Sequence, residues 1–120
     1  MVVVTGGGGG IGSRIVDRFL ANGDQVVGLD KAEISLKELA ATRKAGDRLL
    51  TSCVDVTDAD AVAAFAKQVQ HTYGQVDVLV NCAGFYPVVP FEQMTLTQWQ
   101  EVIAINLTGT FQMTKMAIMV

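Results

Sequence analysis

The chain alternates between two kinds of apolar pattern. Short apolar runs, "VVVT" (2–5), "QVVGLD" (25–30), "RLLTSCVDV" (48–56) and "VDVLVN" (76–81), end at glycine or polar residues and read as strands buried on both faces. Between them apolar residues recur at helical spacing. In "GIGSRIVDRFLANG" (10–23), Ile11, Ile15 and Phe19 follow every four residues with Val16 and Leu20 beside them, and Asn22-Gly23 stops the helix. "ISLKELAATRKAG" (34–46) predicts a second helix, with Ile34, Leu36, Leu39 and Ala40 inward and Gly46 as its stop. In "TDADAVAAFAKQVQHTYG" (57–74), Thr57 is placed as N-cap with Asp60 three residues on. Val62, Phe65, Ala66, Val69 and Tyr73 then form one stripe, closed by Gly74. A loop with Pro87 and Pro90 follows, and residues 95–120 read as one long helical pattern. Apolar strands alternating with amphipathic helices predict an α/β fold, a parallel sheet covered on both faces with right-handed crossovers.

Composition narrows the classes of partner. Half of the 120 residues are apolar and the mean hydropathy is +0.35, enough for a sizeable core with apolar surface left to meet another protein surface. A net charge of −3 and a pI near 4.9 leave no basic stripe to neutralise phosphates, which argues against nucleic acid. No uncharged apolar run approaches the ~20 residues that span a bilayer, so no membrane partner is expected. Met1 is followed directly by apolar residues without a basic leader, and the two cysteines sit in apolar runs. A reducing, cytoplasmic setting is therefore expected, with Cys53 and Cys82 as small buried hydrophobes. His71 lies in a polar stretch and is expected to be a solvated helix position.

The densest signal is "TGGGGGIG" (5–12), six glycines within seven positions. Gly7, Gly9 and Gly12 satisfy G-x-G-x-x-G, although so many glycines satisfy almost any glycine motif. A P-loop is set aside because Gly12 is followed by Ser13 and Arg14, with no lysine for the phosphates. The context says more than the pattern. The run leaves the first strand and opens the first helix, where a dinucleotide pyrophosphate is held by backbone N–H groups and the helix dipole. A tight strand–helix turn alone would need only one or two glycines. Asp30 ends the second strand 18 positions after Gly12, placed to bind the adenosine ribose hydroxyls and to repel a 2′-phosphate. NAD is thus favoured over NADP, a preference that Lys31 and Arg14 nearby could soften.

These residues resemble the short-chain dehydrogenase/reductase family. "TGGGGGIG" fits the family's T-G-x-x-x-G-x-G loop, "DVTD" (55–58) closes the third strand, and "NCAG" (81–84) looks like its N-x-A-G. "INLTGTF" (105–111) looks like its segment around a helical asparagine. The resemblance implies a Rossmann-type doubly wound sheet of about four strands in the order 3-2-1-4, with an NAD(P)-binding crevice between the first and fourth strands. It implies that Gly6, Gly10, Ile11 and Gly12 cradle the pyrophosphate and that Asp30 binds the ribose. Asp55 and Val56 would meet the adenine, while Asn81, Ala83 and Gly84 would flank the cofactor. Asn106, mid-helix on the face of Trp99, Val102 and Ile103, is expected to point inward. It would either stitch the helix by an internal hydrogen bond or, as the resemblance implies, hold a water in the proton relay behind the catalytic base.

One part of the family pattern is not met. The family's acid/base is Y-x-x-x-K with a serine upstream. Here Tyr73 and Tyr86 are followed four residues on by Asp77 and Pro90, and Ser13, Ser35 and Ser52 all precede the fourth strand. The expectation is that residues 1–120 form the NAD(P)-binding half of an oxidoreductase that interconverts a secondary alcohol and a ketone, cut before the catalytic half. Its partners would be a small alcohol or ketone and, when complete, further copies of itself as a dimer or tetramer. The other reading is a non-catalytic dinucleotide-binding or interaction module. Alone, the 120 residues are expected to be inactive, with the fourth strand left as an apolar edge.

Overall fold

A computed structural model describes residues 1–120. Four strands, β1 (Val2–Thr5), β2 (Val26–Asp30), β3 (Leu49–Cys53) and β4 (Val78–Val80), form one parallel sheet in the order β3-β2-β1-β4. The α/β reading, the parallel pairing and the 3-2-1-4 order therefore hold. The chain winds outward from β1 through β2 to β3, then returns to the other side of β1 for β4. The order reverses between β1 and β4, and a crevice opens there beyond the strand ends.

The period of two in the strands sorts side chains between two cores. Val2, Val4 and Val26 pack on one face with Val16 and Leu20 of α1 (Gly10–Ala21) and Leu39 of α2 (Glu33–Arg43). Val3, Val27 and Leu29 pack on the other with Val62, Phe65 and Val69 of α3 (Ala59–Thr72) and Met113 and Met116 of α5 (Thr110–Met119). Gly28 lies on the first face, where a Cβ would stand 3.1 Å from Leu39. Arg43 ties α2 to α1 by donating from Nε and Nη2 to the two carboxylate oxygens of Asp17 at 2.8 and 3.1 Å.

Several local expectations are corrected. The inward face of α2 is Leu36 and Leu39 only, while Ile34 is 81 % exposed and Ala40 is exposed as well. The helix ends at Arg43 with Lys44 left-handed (φ 47°), before Gly46 is reached. On α1, Val16 and Leu20 are buried, Ile15 and Phe19 half-buried, and Ile11 exposed. Asp58, not Thr57, caps α3, accepting from the N–H groups of Asp60 and Ala61 at 3.0 Å. Cys53 is exposed and Cys82 half-buried, so neither is a core hydrophobe. His71 is exposed on α3, as read.

The long final pattern is not one α-helix. α4 (Leu96–Ile103) starts in a capping box between Thr95 and Gln98, passes into a π-helical turn (Ala104–Gly109), and continues as α5. β4 pairs with β1 alone and forms one edge of the sheet. No helix is long and apolar enough to cross a membrane.

The correction in α2 is measurable by urea unfolding. Leu39→Ala should cost about 2–5 kcal/mol, as a buried large-to-small change does. Ile34→Ala should stay within about 0.5 kcal/mol, as surface changes do. Equal losses would show that α2 is rotated from the arrangement described.

Candidate functional site

The crevice at the reversal of strand order is a cleft of about 470 Å³. Its floor is the glycine loop and the start of α1 (Gly6, Gly9, Gly10, Ile11, Gly12). One wall comes from the ends of β2 and β3 (Asp30, Lys31, Val54, Asp55, Val56), and the other from the exit of β4 (Cys82 to Phe85) with Ile105 of the π turn. Nine of the eleven residues singled out in the sequence converge here: Gly6, Gly10, Ile11, Gly12, Asp30, Asp55, Val56, Ala83 and Gly84. Asn81 and Asn106 do not line it. The Asn81 amide donates to the Thr114 hydroxyl on α5 at 3.2 Å.

The glycines are needed mostly by the protein's own packing. Gly6 sits at φ +64°, and a Cβ there would lie 3.0 Å from the Ala83 backbone. A Cβ on Gly7 would lie 2.9 Å from the Gly28 Cα, one on Gly8 2.6 Å from the Ser35 Cβ, and one on Gly12 2.0 Å from the Gly6 carbonyl oxygen. Internal packing thus explains more of the run than the sequence argument allowed. Gly10 is different. A Cβ there would meet nothing within 4 Å, so no neighbour in the chain requires a glycine. Gly10 lines the floor of the cleft.

The electrostatics of the floor suit an anion. Gly9 precedes α1 and no side chain caps this terminus. The first outward-reaching backbone bond of α1 is Ser13 N–H to the Gly9 carbonyl at 2.9 Å, which leaves the N–H groups of Gly10, Ile11 and Gly12 without helical acceptors. With the positive end of the helix dipole, these donors form an anion seat of the kind that takes a phosphate.

Asp30 is tied into the loop as well as facing the cleft. Its two carboxylate oxygens accept from the N–H of Gly8 at 3.2 Å and of Ala32 at 3.0 Å. A carboxyl group's oxygens can accept more than these two bonds, so Asp30 retains acceptor capacity toward a ligand. Asp55 is held below the usual carboxylate range, first by the Thr57 N–H (2.8 Å), then by the Thr57 hydroxyl (2.7 Å), with a smaller contribution from the Lys31 charge. It stays ionised at neutral pH.

Asn106 lies inside the π turn. It is exposed rather than inward, and all of its amide is used locally. Its oxygen accepts from the Phe85 N–H at 3.2 Å, and its nitrogen donates to the carbonyls of Phe85 and, at 2.9 Å, Val102. It therefore stitches the helix and also pins the loop that follows Gly84. A Cβ on Gly84 would stand 2.9 Å from its oxygen.

Thr5 was not singled out from the sequence, where it looks like the polar end of a strand. It is 1 % exposed. Its hydroxyl accepts from the N–H groups of Cys82 and Ala83, both at 3.0 Å, and reaches the Val80 carbonyl at 3.4 Å. One side chain at the end of β1 thus sets where β4 delivers the Cys82–Phe85 wall. The available signal was a hydroxyl at the buried end of an apolar run, which needs partners.

The fold defines an α/β class with a parallel sheet and a cleft where the strand order reverses, and the comparisons place it in a family. The family model described as short chain dehydrogenase matches residues 1–120. The chain belongs to the short-chain dehydrogenase family. It is 36 % identical to D-threitol dehydrogenase of Mycolicibacterium smegmatis over 94 % of this chain and 44 % of that protein. It is 35 % identical to L-fucose dehydrogenase of Bos taurus over 98 % of this chain and 43 % of that one. A short-chain dehydrogenase from Streptomyces avermitilis superposes with a TM-score of 0.88 at 32 % identity, covering 98 % of this chain and 43 % of that one. One from Brucella melitensis superposes with 0.89 at 34 % identity, covering 98 % and 50 %. The chain thus spans less than half the length of these two curated relatives.

Two variants test the wall geometry. Thr5→Val leaves two half-buried N–H groups without an acceptor and should cost about 1 kcal/mol or more in chemical unfolding, with Thr5→Ser retaining most of the stability. Equal loss in both would mean that the methyl group matters, not the hydroxyl. Asp55 has a lowered folded pKa, so its stabilisation is present above the unfolded value near about 4 and is lost as pH falls through the folded value. Asp55→Asn, which keeps the acceptor but does not titrate, should flatten the acid limb of Tm against pH. An unchanged acid limb would contradict this.

Proposed function

We propose that residues 1–120 form the dinucleotide-binding half of an NAD-dependent oxidoreductase that interconverts a secondary alcohol and a ketone. The observation that carries the reading is Gly10. It lies between the uncapped N–H groups of α1 and an open cleft, with no packing reason of its own to be glycine. The uncapped N–H groups of α1 at the floor of the cleft support an adenine dinucleotide. Gly6, Gly10, Ile11 and Gly12 would cradle the pyrophosphate, Asp30 would accept from the adenosine ribose, and Asp55 and Val56 would border the adenine. Ala83 and Gly84 would flank the nicotinamide half, with Asn81 and Asn106 acting from behind the wall.

The dinucleotide, when bound, supplies the acceptor or donor of the hydride. This chain's residues bind and orient it. The anion seat fixes the middle of the ligand, the two walls fix its ends, and Asn106 holds the Phe85 backbone where the reacting end would lie. Asp30 supports NAD over NADP, because a 2′-phosphate beside an ionised carboxylate is repelled, although Lys31 also lines the cleft. The relatives named as sugar or polyol dehydrogenases support a small hydroxylated substrate, and the open edge of β4 and the exposed apolar face of α4 and α5 support assembly with further protein.

A second reading, a dinucleotide-binding module without chemistry of its own, is favoured by one observation. Neither tyrosine lines the cleft, Tyr73 being half-buried at the end of α3 against the core and Tyr86 lying outside the walls. Steady-state oxidation of polyols and sugars by the full-length protein, not by residues 1–120 alone, separates the two readings. NAD-dependent turnover supports the first, and NADH binding with no turnover supports the second.

Gly10→Val tests the common core of both. It should leave Tm nearly unchanged, since a Cβ meets nothing, and weaken NADH binding by at least roughly tenfold, because the backbone approaches the pyrophosphate there. Gly12→Val is the poorer test, because its side chain collides with the Gly6 carbonyl whether or not a ligand binds. Unchanged NADH affinity in Gly10→Val would overturn the pyrophosphate assignment. In a second measurement, Asp30→Ala should narrow the ratio of NADH to NADPH affinity, and a wild-type preference for NADPH would refute the NAD assignment.

A further inference from the structure

One continuous stretch of helix touches both walls of the cleft. At its start Asn106 holds Phe85, as described above. One turn on, Gly109 is buried so close to the other wall that a Cβ would stand 2.6 Å from Val56 Cγ2 and 3.1 Å from Val56 Cβ. Three residues further, the half-buried Gln112 sends its Nε2 to the carbonyls of Val56 and Thr57 at 3.2 and 3.3 Å. These carbonyls belong to the turn that presents Asp55 and Val56 to the cleft. The hydrogen bonds inside the turn are those of Thr57 on the Asp55 carboxylate and of Asp58 N–H on the Asp55 carbonyl at 3.0 Å. The Val54 N–H on the Asp30 carbonyl at 3.0 Å anchors the chain just before the turn, and the buried Val56 packs into the core with Val62, Phe65 and Met113. Gln112 and Gly109 add the hold from behind.

From this placement we infer that Gln112, seated on the Gly109–Val56 contact, is a positioning residue for the adenine end of the cleft. It acts through the Asp55–Thr57 turn and touches no ligand itself. The π turn gives the geometry its reach. An extra residue in the turn changes the rotation of everything after it, so that Asn106 serves one wall while Gln112 faces the other. Gly109 has no side chain because Val56 fills that space, and the same contact makes Val56 a rigid wall. The inference rests on the proposed reading of the cleft as a dinucleotide site, with adenine at the Val56 wall.

The test uses the purified protein, with AMP and nicotinamide mononucleotide as separate probes, each titrated by calorimetry and by displacement of NADH. Gln112→Glu keeps the side-chain shape and replaces the donor with a repelled acceptor. It should weaken AMP by about fivefold, the scale of one or two lost hydrogen bonds, and leave nicotinamide mononucleotide unchanged. Gly109→Ala, which displaces Val56, should shift the same probe in the same direction. Gln112→Lys, which restores a donor, should recover most of the AMP affinity. A merely structural role would weaken both probes together, and that result, or AMP binding unchanged in Gln112→Glu, would overturn the inference. Wild-type protein that binds neither AMP nor NADH would instead overturn the dinucleotide reading, and the inference with it.

Discussion

At the carboxyl end of β1 one buried hydroxyl and one left-handed glycine decide where everything else stands. Thr5 accepts the N–H groups of Cys82 and Ala83 and so binds the exit of β4 to the end of β1. Gly6 turns the chain with φ +64°, and its carbonyl oxygen lies so close to Gly12 that the start of α1 must pass directly over the loop. The same few residues therefore aim the helix N-terminus and set the opposite wall. If either element moved, the open N–H groups of α1 would no longer face the space between Asp55 and Gly84.

The cleft is preorganised by contacts that need no ligand. Asp30 spans Gly8 and Ala32, Asp55 closes its turn through Thr57, Asn106 holds Phe85 and Gln112 holds Val56 and Thr57. Each contact orders backbone at the cleft's rim, where loops would otherwise cost conformational entropy on binding. The arrangement also explains why a fold built on a simple parallel sheet ends in an interrupted helix. A regular α-helix over residues 95–120 would present Asn106 and Gln112 with a different relative rotation, and the two walls would no longer share one support.

The sheet, its order and most of the cleft's lining were legible in the sequence because they follow from period and position. Apolar runs mark strands whatever surrounds them, and the first glycine-rich turn marks the point where the strand order reverses. What the sequence hid depended on contacts distant along the chain. Ile34 and Leu36 are both apolar, and only the packing of α2 against the sheet, which buries Leu36 and leaves Ile34 exposed, separates them. Thr57 and Asp58 are neighbouring caps, and the turn made by Asp55 uses Thr57, leaving Asp58 for the helix. The π turn and the reach of Gln112 across 56 positions had no local signature, and the hydroxyl at the end of β1 gave no hint of partners 77 positions away. Part of the glycine run lines the cleft, but Gly7, Gly8 and Gly12 are small for the sake of the protein's own backbone and side chains, which the sequence argument did not foresee.

The central claim is that the uncapped start of α1, between the Asp55 and Gly84 walls, is where a dinucleotide pyrophosphate rests. The most direct measurement is an amide NMR titration of the isotopically labelled protein with NADH. The account predicts the largest shifts at the N–H groups of Gly10, Ile11 and Gly12, with smaller ones at Val56 on one side and at Ala83 and Gly84 on the other. Shifts confined to the polar surface around Arg14, Thr42 and Arg43, or none at all, would contradict it.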